Sequence, residues 1–156
     1  MRILLMRHAA AVDGGPDLPD EQRFLSGTGR ETARRVGARL EQEGVDVQAI
    51  HTSPLVRAVQ TAELLAAALG YSGEVRSLSS LAPGYPPRLV ADALDPSAGT
   101  VLLVGHEPGI SALAALLIAR PGFPPFRPAQ VTLLERGAVS WALNPTTLEL
   151  DHVLVA

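Results

Sequence analysis

Short apolar runs alternate along the chain with longer stretches in which apolar residues recur every three to four positions. Ile3–Met6 is continuously apolar, the pattern of a strand covered on both faces. Glycine, proline and aspartate crowd "AAVDGGPDLPDEQ", so residues 9–25 read as a long exposed loop. Ser26 suits a helix N-cap. Behind it Ala33, Val36, Gly37 and Leu40 fall at helical spacing, and Gly44 supplies the stop. "VQAIHTSP" predicts a second strand, with Ser53-Pro54 as N-cap and first residue of the next helix. Leu55, Val59, Ala62, Ala66 and Leu69 mark the inner face of that helix, which Gly70 ends.

"EVRSLSSL" predicts a third strand and Pro87 to Leu94 a short helix. "TVLLVG" is the clearest strand, followed by a helix from about Pro108. "PGFPPFRP" reads as a stiff connector, and Arg127 within it is given no functional role. Stretches 129–135, 138–144 and 148–154 predict a strand meander, with turns at Arg136-Gly137 and Asn144-Pro145. Strands alternating with helices imply crossovers. The expectation is an α/β fold, a three-layer α/β/α sandwich with a mostly parallel central sheet and an antiparallel C-terminal meander. At 156 residues, with no repeat or linker, residues 1–156 read as a single domain.

Composition narrows the chemistry. Hydrophobic residues make up 47% and charged residues 19%, the balance of a folded rather than a disordered chain. A net charge of −3 argues against nucleic acid or an anionic membrane as partner. All thirteen basic residues are arginine, which removes lysine Schiff-base chemistry and the Gly-Lys phosphate loop. With no cysteine, disulfides, thiolate nucleophiles and cysteine-bound zinc are out of reach. The first apolar run is too short for a signal peptide, and no segment has the ~20 apolar residues of a membrane helix. A cytoplasmic location is therefore the expectation.

Ligands of open α/β sheets bind at the carboxyl ends of the strands. Three strand ends here carry unusual residues. The first ends in Arg7-His8, the second leads to Arg57 in the first turn of a helix, and "VLLVG" ends in His106. If these strands are neighbours, two arginines and two histidines converge. Guanidinium forks and a helix N-terminus suit a tetrahedral oxyanion. An imidazole can attack phosphorus, and a second imidazole can stabilise the charge that builds on the oxygens. The set is a self-consistent phosphoryl-transfer site with no cofactor and no metal. A two-metal hydrolase needs more carboxylate and histidine ligands at strand ends than these.

"LMRHA", "SPLVRAVQTAELL" and "LLVGHEPG" together resemble the histidine phosphatase superfamily, which includes phosphoglycerate mutases and acid phosphatases. The resemblance covers nearly the whole chain. "RFLSGTG", "LAPGYPPRLV" and "VTLLERGAVSWALNP" are most similar to the small SixA-type phosphohistidine phosphatases of that superfamily. This resemblance implies His8 as nucleophile and Arg7, Arg57 and His106 as the phosphate pocket. It adds Arg23, the counterpart of a SixA-type arginine that reaches the phosphate.

One departure bears on the substrate. Relatives acting on phosphate esters carry a carboxylic acid after the third strand, which protonates the leaving alkoxide. "VRSLSSLAPGYPPR" has none. Glu107, Asp13, Asp17, Asp20 and Glu21 remain as loop sources of a proton, although loop carboxylates are ordinarily just solvated. A phosphorylated imidazole needs the acid less, because its departing ring can be protonated beforehand. The expectation is thus a metal-independent phosphohistidine phosphatase acting as a monomer on a phosphorylated histidine-containing protein, or on a small phosphorylated compound. The alternatives are a broad-specificity small-molecule phosphatase, a phosphoglycerate mutase-like enzyme, and a module that binds phosphorylated partners without turnover. His51 reads as structural, His152 as an exposed strand residue, Trp141 as core, and Ser53 as a cap before anything else.

Overall fold

The computed structural model describes residues 1–152. Its strands are β1 (Arg2–Arg7), β2 (Ala49–Thr52), β3 (Val75–Ser77), β4 (Thr100–Gly105), β5 (Val131–Glu135), β6 (Ala138–Leu143) and β7 (Leu150–Asp151). Its helices are α1 (Gly27–Gln42), α2 (Val56–Ala68), α3 (Pro87–Ala93) and α4 (Gly109–Leu117). All seven strands join one sheet in the order β3-β2-β4-β1-β5-β6-β7. β3, β2, β4 and β1 are mutually parallel, and the sheet continues by antiparallel pairing of β5 with β1, β6 with β5 and β7 with β6. Residues 153 and 154 of the expected last strand lie outside the described residues.

β1 and β4 occupy the centre, and alternate residues face opposite layers. Leu4, Met6, Leu102 and Val104 pack with Val36 and Leu40 of α1 and Ala62 and Leu65 of α2. Ile3, Leu5, Val101 and Leu103 pack on the other side with Val90 of α3 and Ile110 and Leu113 of α4. Both faces are covered, which is why these strands are apolar without alternation. Burying each such side chain contributes about 1.5–3 kcal/mol against the entropy of ordering the chain. Trp141 lies in the first of these cores, as its apolar surroundings in the sequence imply. Among the described residues no helix is long and apolar enough to cross a membrane.

Local signals explain the element ends. Ser26 Oγ accepts from the Gly29 N–H, and Gly44 takes φ +76° just beyond α1. Gly29 is required for a second reason. A Cβ there would stand 2.0 Å from the Ala10 carbonyl oxygen, so only glycine lets α1 lie against the chain leaving β1.

Two expectations are corrected. α2 starts at Val56 with Leu55 as its cap residue, two positions later than Ser53-Pro54 implies. Ser53 lies too early in the chain to cap it: its Oγ accepts from the Leu55 N–H at 3.2 Å, ahead of the helix, and its own N–H donates to Val104 O at 2.9 Å. Residues 9–25 are also more than an exposed loop. Ala11 bridges Leu25, Gly15 bridges Leu18, and residues Asp20–Gln22 form a single 3-10 turn. Ala9 and Leu25 are buried, and the Leu25 N–H donates to Gln60 Oε1 of α2 at 2.7 Å. The excursion folds back onto α2 because its two ends carry apolar residues that need cover.

Candidate functional site

The strand order β2-β4-β1 makes the three unusual strand ends neighbours. Arg7 stands opposite Gly105 in the β1–β4 register, and the next amide, of His8, donates to Gly105 O at 3.0 Å. His8 and His106 therefore leave adjacent strand ends side by side, with ring centroids 5.0 Å apart and planes tilted by 55°. Arg57 enters from the first turn of α2, its Nε 3.4 Å from His8 Nε2. His8, Arg57 and His106 are all buried.

Each side chain is held by a distinct contact. His8 Nδ1–H donates to the Ala9 carbonyl at 2.7 Å, which fixes the proton on Nδ1 and leaves the lone pair on Nε2. Thr61 ties this strand end to α2, accepting from the Ala9 N–H and donating to Arg57 O. Arg7 Nη1 donates to the carbonyl of Phe126, in the expected stiff connector, at 2.8 Å. His106 Nε2 lies 2.7 Å from Ser53 Oγ, which also accepts from the Leu55 N–H. Two buried polar atoms have no hydrogen-bond partner among the described residues: Arg7 Nε and His106 Nδ1. Buried donors are seldom left so, because each costs about 1–3 kcal/mol.

Arg57 uses its whole fork. Nη1 donates to Asp20 O at 2.7 Å and Nη2 to Asp20 Oδ2 at 3.2 Å. Arg23 donates from Nη1 to Asp20 Oδ1 at 3.0 Å and from Nε to Val12 O at 2.8 Å. Arg23 thus reaches the site, bridged to Arg57 through one carboxylate. Sequence reasoning placed Asp20 only among five loop acids and passed over Thr61. The signal for Thr61 was a polar residue four positions after Arg57 on the buried side of α2. Glu107 turns inward for structural reasons. Its Oε2 accepts from Ser111 Oγ at 2.7 Å and its Oε1 from the Phe126 N–H at 3.0 Å. Among the described residues no group of three histidine, aspartate or glutamate side chains could hold a metal ion.

Two histidines remain, one in β2 and one beyond β7. His51 is half-buried in β2, opposite Arg76 of β3. His152 is exposed, just past β7 rather than within it, its Nδ1 near Ser140 O at 3.1 Å.

Burial and surrounding positive charge keep both site imidazoles neutral. His8 is lowered to about 4, mainly by burial, with Arg57, Arg7 and Arg23 adding to the effect against the raising influence of the Ala9 carbonyl. His106 is lowered to about 3, again by burial first, then by His8 and Arg57. An unfolded histidine takes its proton near pH 6.5, so below that pH the unfolded chain binds more protons than the folded one. Stability is therefore expected to fall as pH drops from 6.5 toward 4, by about 1.4 kcal/mol per pH unit for each imidazole. Urea unfolding at pH 6.5 and pH 5 should show a loss of about 3 kcal/mol, since the unfolded imidazoles are already half protonated at pH 6.5. Equal midpoints at the two pH values would contradict neutral, buried imidazoles.

Known proteins match this chain in sequence and in fold. The model of the histidine phosphatase superfamily (branch 1) matches residues 3–82. The phosphohistidine phosphatase SixA of Escherichia coli is 29% identical over 99% of this chain and 100% of its own length. An uncharacterized protein of Picosynechococcus is 38% identical, covering 73% of this chain and 71% of that one. The solved structure of the protein histidine phosphatase SixA complexed with tungstate superposes with a TM-score of 0.86 at 26% identity. It covers 96% of this chain and 100% of that chain.

Proposed function

The chain belongs to the histidine phosphatase superfamily, and from that premise we propose that it is a phosphohistidine phosphatase working through a covalent phosphohistidine on His8. The observation that carries this proposal is an unprotonated imidazole nitrogen, met only by a long 3.4 Å contact from Arg57 Nε, set among donors that have no partner among the described residues. His8 Nε2 has no proton, and beside it Arg7 Nε and His106 Nδ1 are buried without partners. A phosphoryl group placed between them accepts from both donors and presents phosphorus to Nε2. The Ser53 hydroxyl, by donating to His106 Nε2, keeps the proton on Nδ1, where it faces an oxygen.

The chemistry balances without a cofactor. His8 Nε2 donates its pair to phosphorus as the bond from phosphorus to the substrate nitrogen breaks; the substrate ring, already protonated from solvent on its other nitrogen, takes back the bonding pair and leaves as a neutral imidazole. The phosphorylated His8 ring carries the positive charge, its Nδ1–H still on the Ala9 carbonyl. Water then attacks phosphorus, the pair of the N–P bond returns to Nε2, and both water protons leave with inorganic phosphate. Arg7, Arg57, Arg23 and His106 hold the oxygens through both steps, supplying the positive charge that a metal ion provides in other phosphatases. Activity should therefore survive exhaustive chelation.

The surroundings support nitrogen over oxygen as leaving atom. A cavity of about 360 Å³ beside His106 is walled by residues such as Leu81, Ala82, Tyr85, Pro86 and Ile110. Its one carboxylate, Glu107, is already engaged by Ser111 and Phe126. The several hydroxyls and carboxylates of a sugar phosphate or phosphoglycerate would need more partners there than the two ring nitrogens of an imidazole, and each one left unpaired costs free energy. The deciding experiment compares a histidine-phosphorylated protein with 3-phosphoglycerate and sugar phosphates. A higher kcat/KM on the phosphohistidine is expected, because its departing nitrogen needs no proton from a carboxylic acid. Preference for any of the alkyl esters would contradict the proposal.

A further inference from the structure

We propose that Asp20 is a catalytic acid for phosphate esters, set free by the substrate itself: the phosphoryl group takes Arg57 and Arg23 from Asp20, whose carboxyl then protonates the departing oxygen. This rests on the phosphatase proposal and gives the same site a second substrate class, phosphomonoesters. The segment after β3 offers no acid, and Glu107 is bound elsewhere. Asp13, Asp17 and Glu21 are exposed, whereas both oxygens of the Asp20 carboxylate lie on the guanidinium groups of the site.

The geometry makes Asp20 a stand-in for the anion. Arg57 spans the gap, with Nε 3.4 Å from His8 Nε2 and Nη2 3.2 Å from Asp20 Oδ2. A bound phosphoryl group competes for these N–H donors and for Nη1 of Arg23. Once they turn to phosphoryl oxygens, Asp20 has lost two cations and gained an anionic neighbour, and its proton affinity must rise. Its side chain is 56% exposed, so a proton can arrive from solvent. The charged and titratable groups around it are Arg23 on its own segment, Arg57 from α2, and His8 and His106 beyond β1 and β4. In the free protein Arg23 foremost, then Arg57, hold the carboxyl below its usual range, so the acid form is absent until substrate binds.

The proton count closes for each class. With an ester, His8 Nε2 bonds to phosphorus, the P–O bond breaks, and the oxygen leaves as an alcohol with the Asp20 proton, leaving Asp20 a carboxylate. With a phosphohistidine the departing ring nitrogen accepts the bonding pair and needs no proton from Asp20. Replacing Asp20 should therefore separate the two activities.

The test is Asp20→Asn, with Asp20→Glu as the acid-restoring partner, assayed on aryl phosphates of graded phenol acidity and on a histidine-phosphorylated protein. For the parent, rates should depend weakly on the phenol. For Asp20→Asn the loss should grow from about 2-fold with the most acidic phenol to ~10²-fold or more with the least acidic, and the loss on phosphohistidine should match that on the most acidic phenol rather than the least. Asp20→Glu should restore the weak dependence. A purely structural role for Asp20 lowers all rates alike, and a uniform loss overturns the proposal, as does a parent enzyme inactive on every ester. His8→Ala assayed alongside separates the two failures. If it keeps parent activity, the phosphatase proposal fails; if it is inactive while Asp20→Asn loses uniformly, only the role of Asp20 fails.

Discussion

His8→Ala is expected to lower turnover of phosphohistidine substrates by about 10⁴-fold or more, the scale seen when a covalent nucleophile is removed. The His8 side chain makes few contacts: a hydrogen bond to its neighbour's carbonyl, a long one from Arg57 Nε, and an edge beside His106. The variant should fold, and it should be more tolerant of acid, because one buried imidazole no longer opposes protonation. Arg7, Arg57 and His106 remain, so the variant should still bind tungstate or inorganic phosphate. Steady-state hydrolysis and a thermal shift with tungstate check the two halves together. Retained turnover, or loss of both turnover and anion binding, would count against a nucleophile acting inside an otherwise intact anion site.

Arg57→Ala is expected to cost about 10³-fold in kcat/KM, about 4 kcal/mol of transition-state stabilisation. Arg57 is 5% exposed and holds His8, the Asp20 carbonyl and the Asp20 carboxylate at once. Its removal takes away a charged fork on the phosphoryl oxygens and releases the segment that carries Arg23. Part of the loss should be in KM and part in kcat, because the guanidinium meets the oxygens before and during transfer. The same change removes a cation that helps hold His8 at about 4, so the acidic limb of the pH–rate profile should move up toward 6.5. Arg57→Lys should recover little, since one ammonium cannot meet His8 and both Asp20 acceptors. An unchanged acidic limb in Arg57→Ala would contradict the electrostatic coupling.

The central sheet was legible because β1 and β4 are buried on both faces and carry unbroken apolar runs. Their shared end was legible for a related reason: Arg7-His8 and His106 interrupt such runs where no solvated face is available. The inner face of α2 was read only in part. Ala62 and Ala66 are buried as expected, but the stripe is rotated to include Arg57, Ala58, Thr61 and Leu65. Periodicity counts apolar residues, and here two polar members, Arg57 and Thr61, face inward, where they meet His8 and the Ala9 N–H. Ser53 was read as a cap from its place before proline, a local rule. Its actual roles, a sheet hydrogen bond and a contact with His106, depend on a strand distant in sequence. Asp20 was hidden similarly. In the sequence it is one acid in a polar loop, and only the folding of residues 9–25 onto α2 brings it to both arginines.

The most direct measurement is rapid-quench trapping of the phosphorylated enzyme with a labelled phosphohistidine donor, followed by mapping of the label. Expected is one phosphate per chain within the first turnover, labile to acid and stable to alkali, on the peptide that contains His8 and attached at Nε2. Turnover at the parent rate with no such phosphate, or with the label on any other residue, would contradict a covalent intermediate on His8.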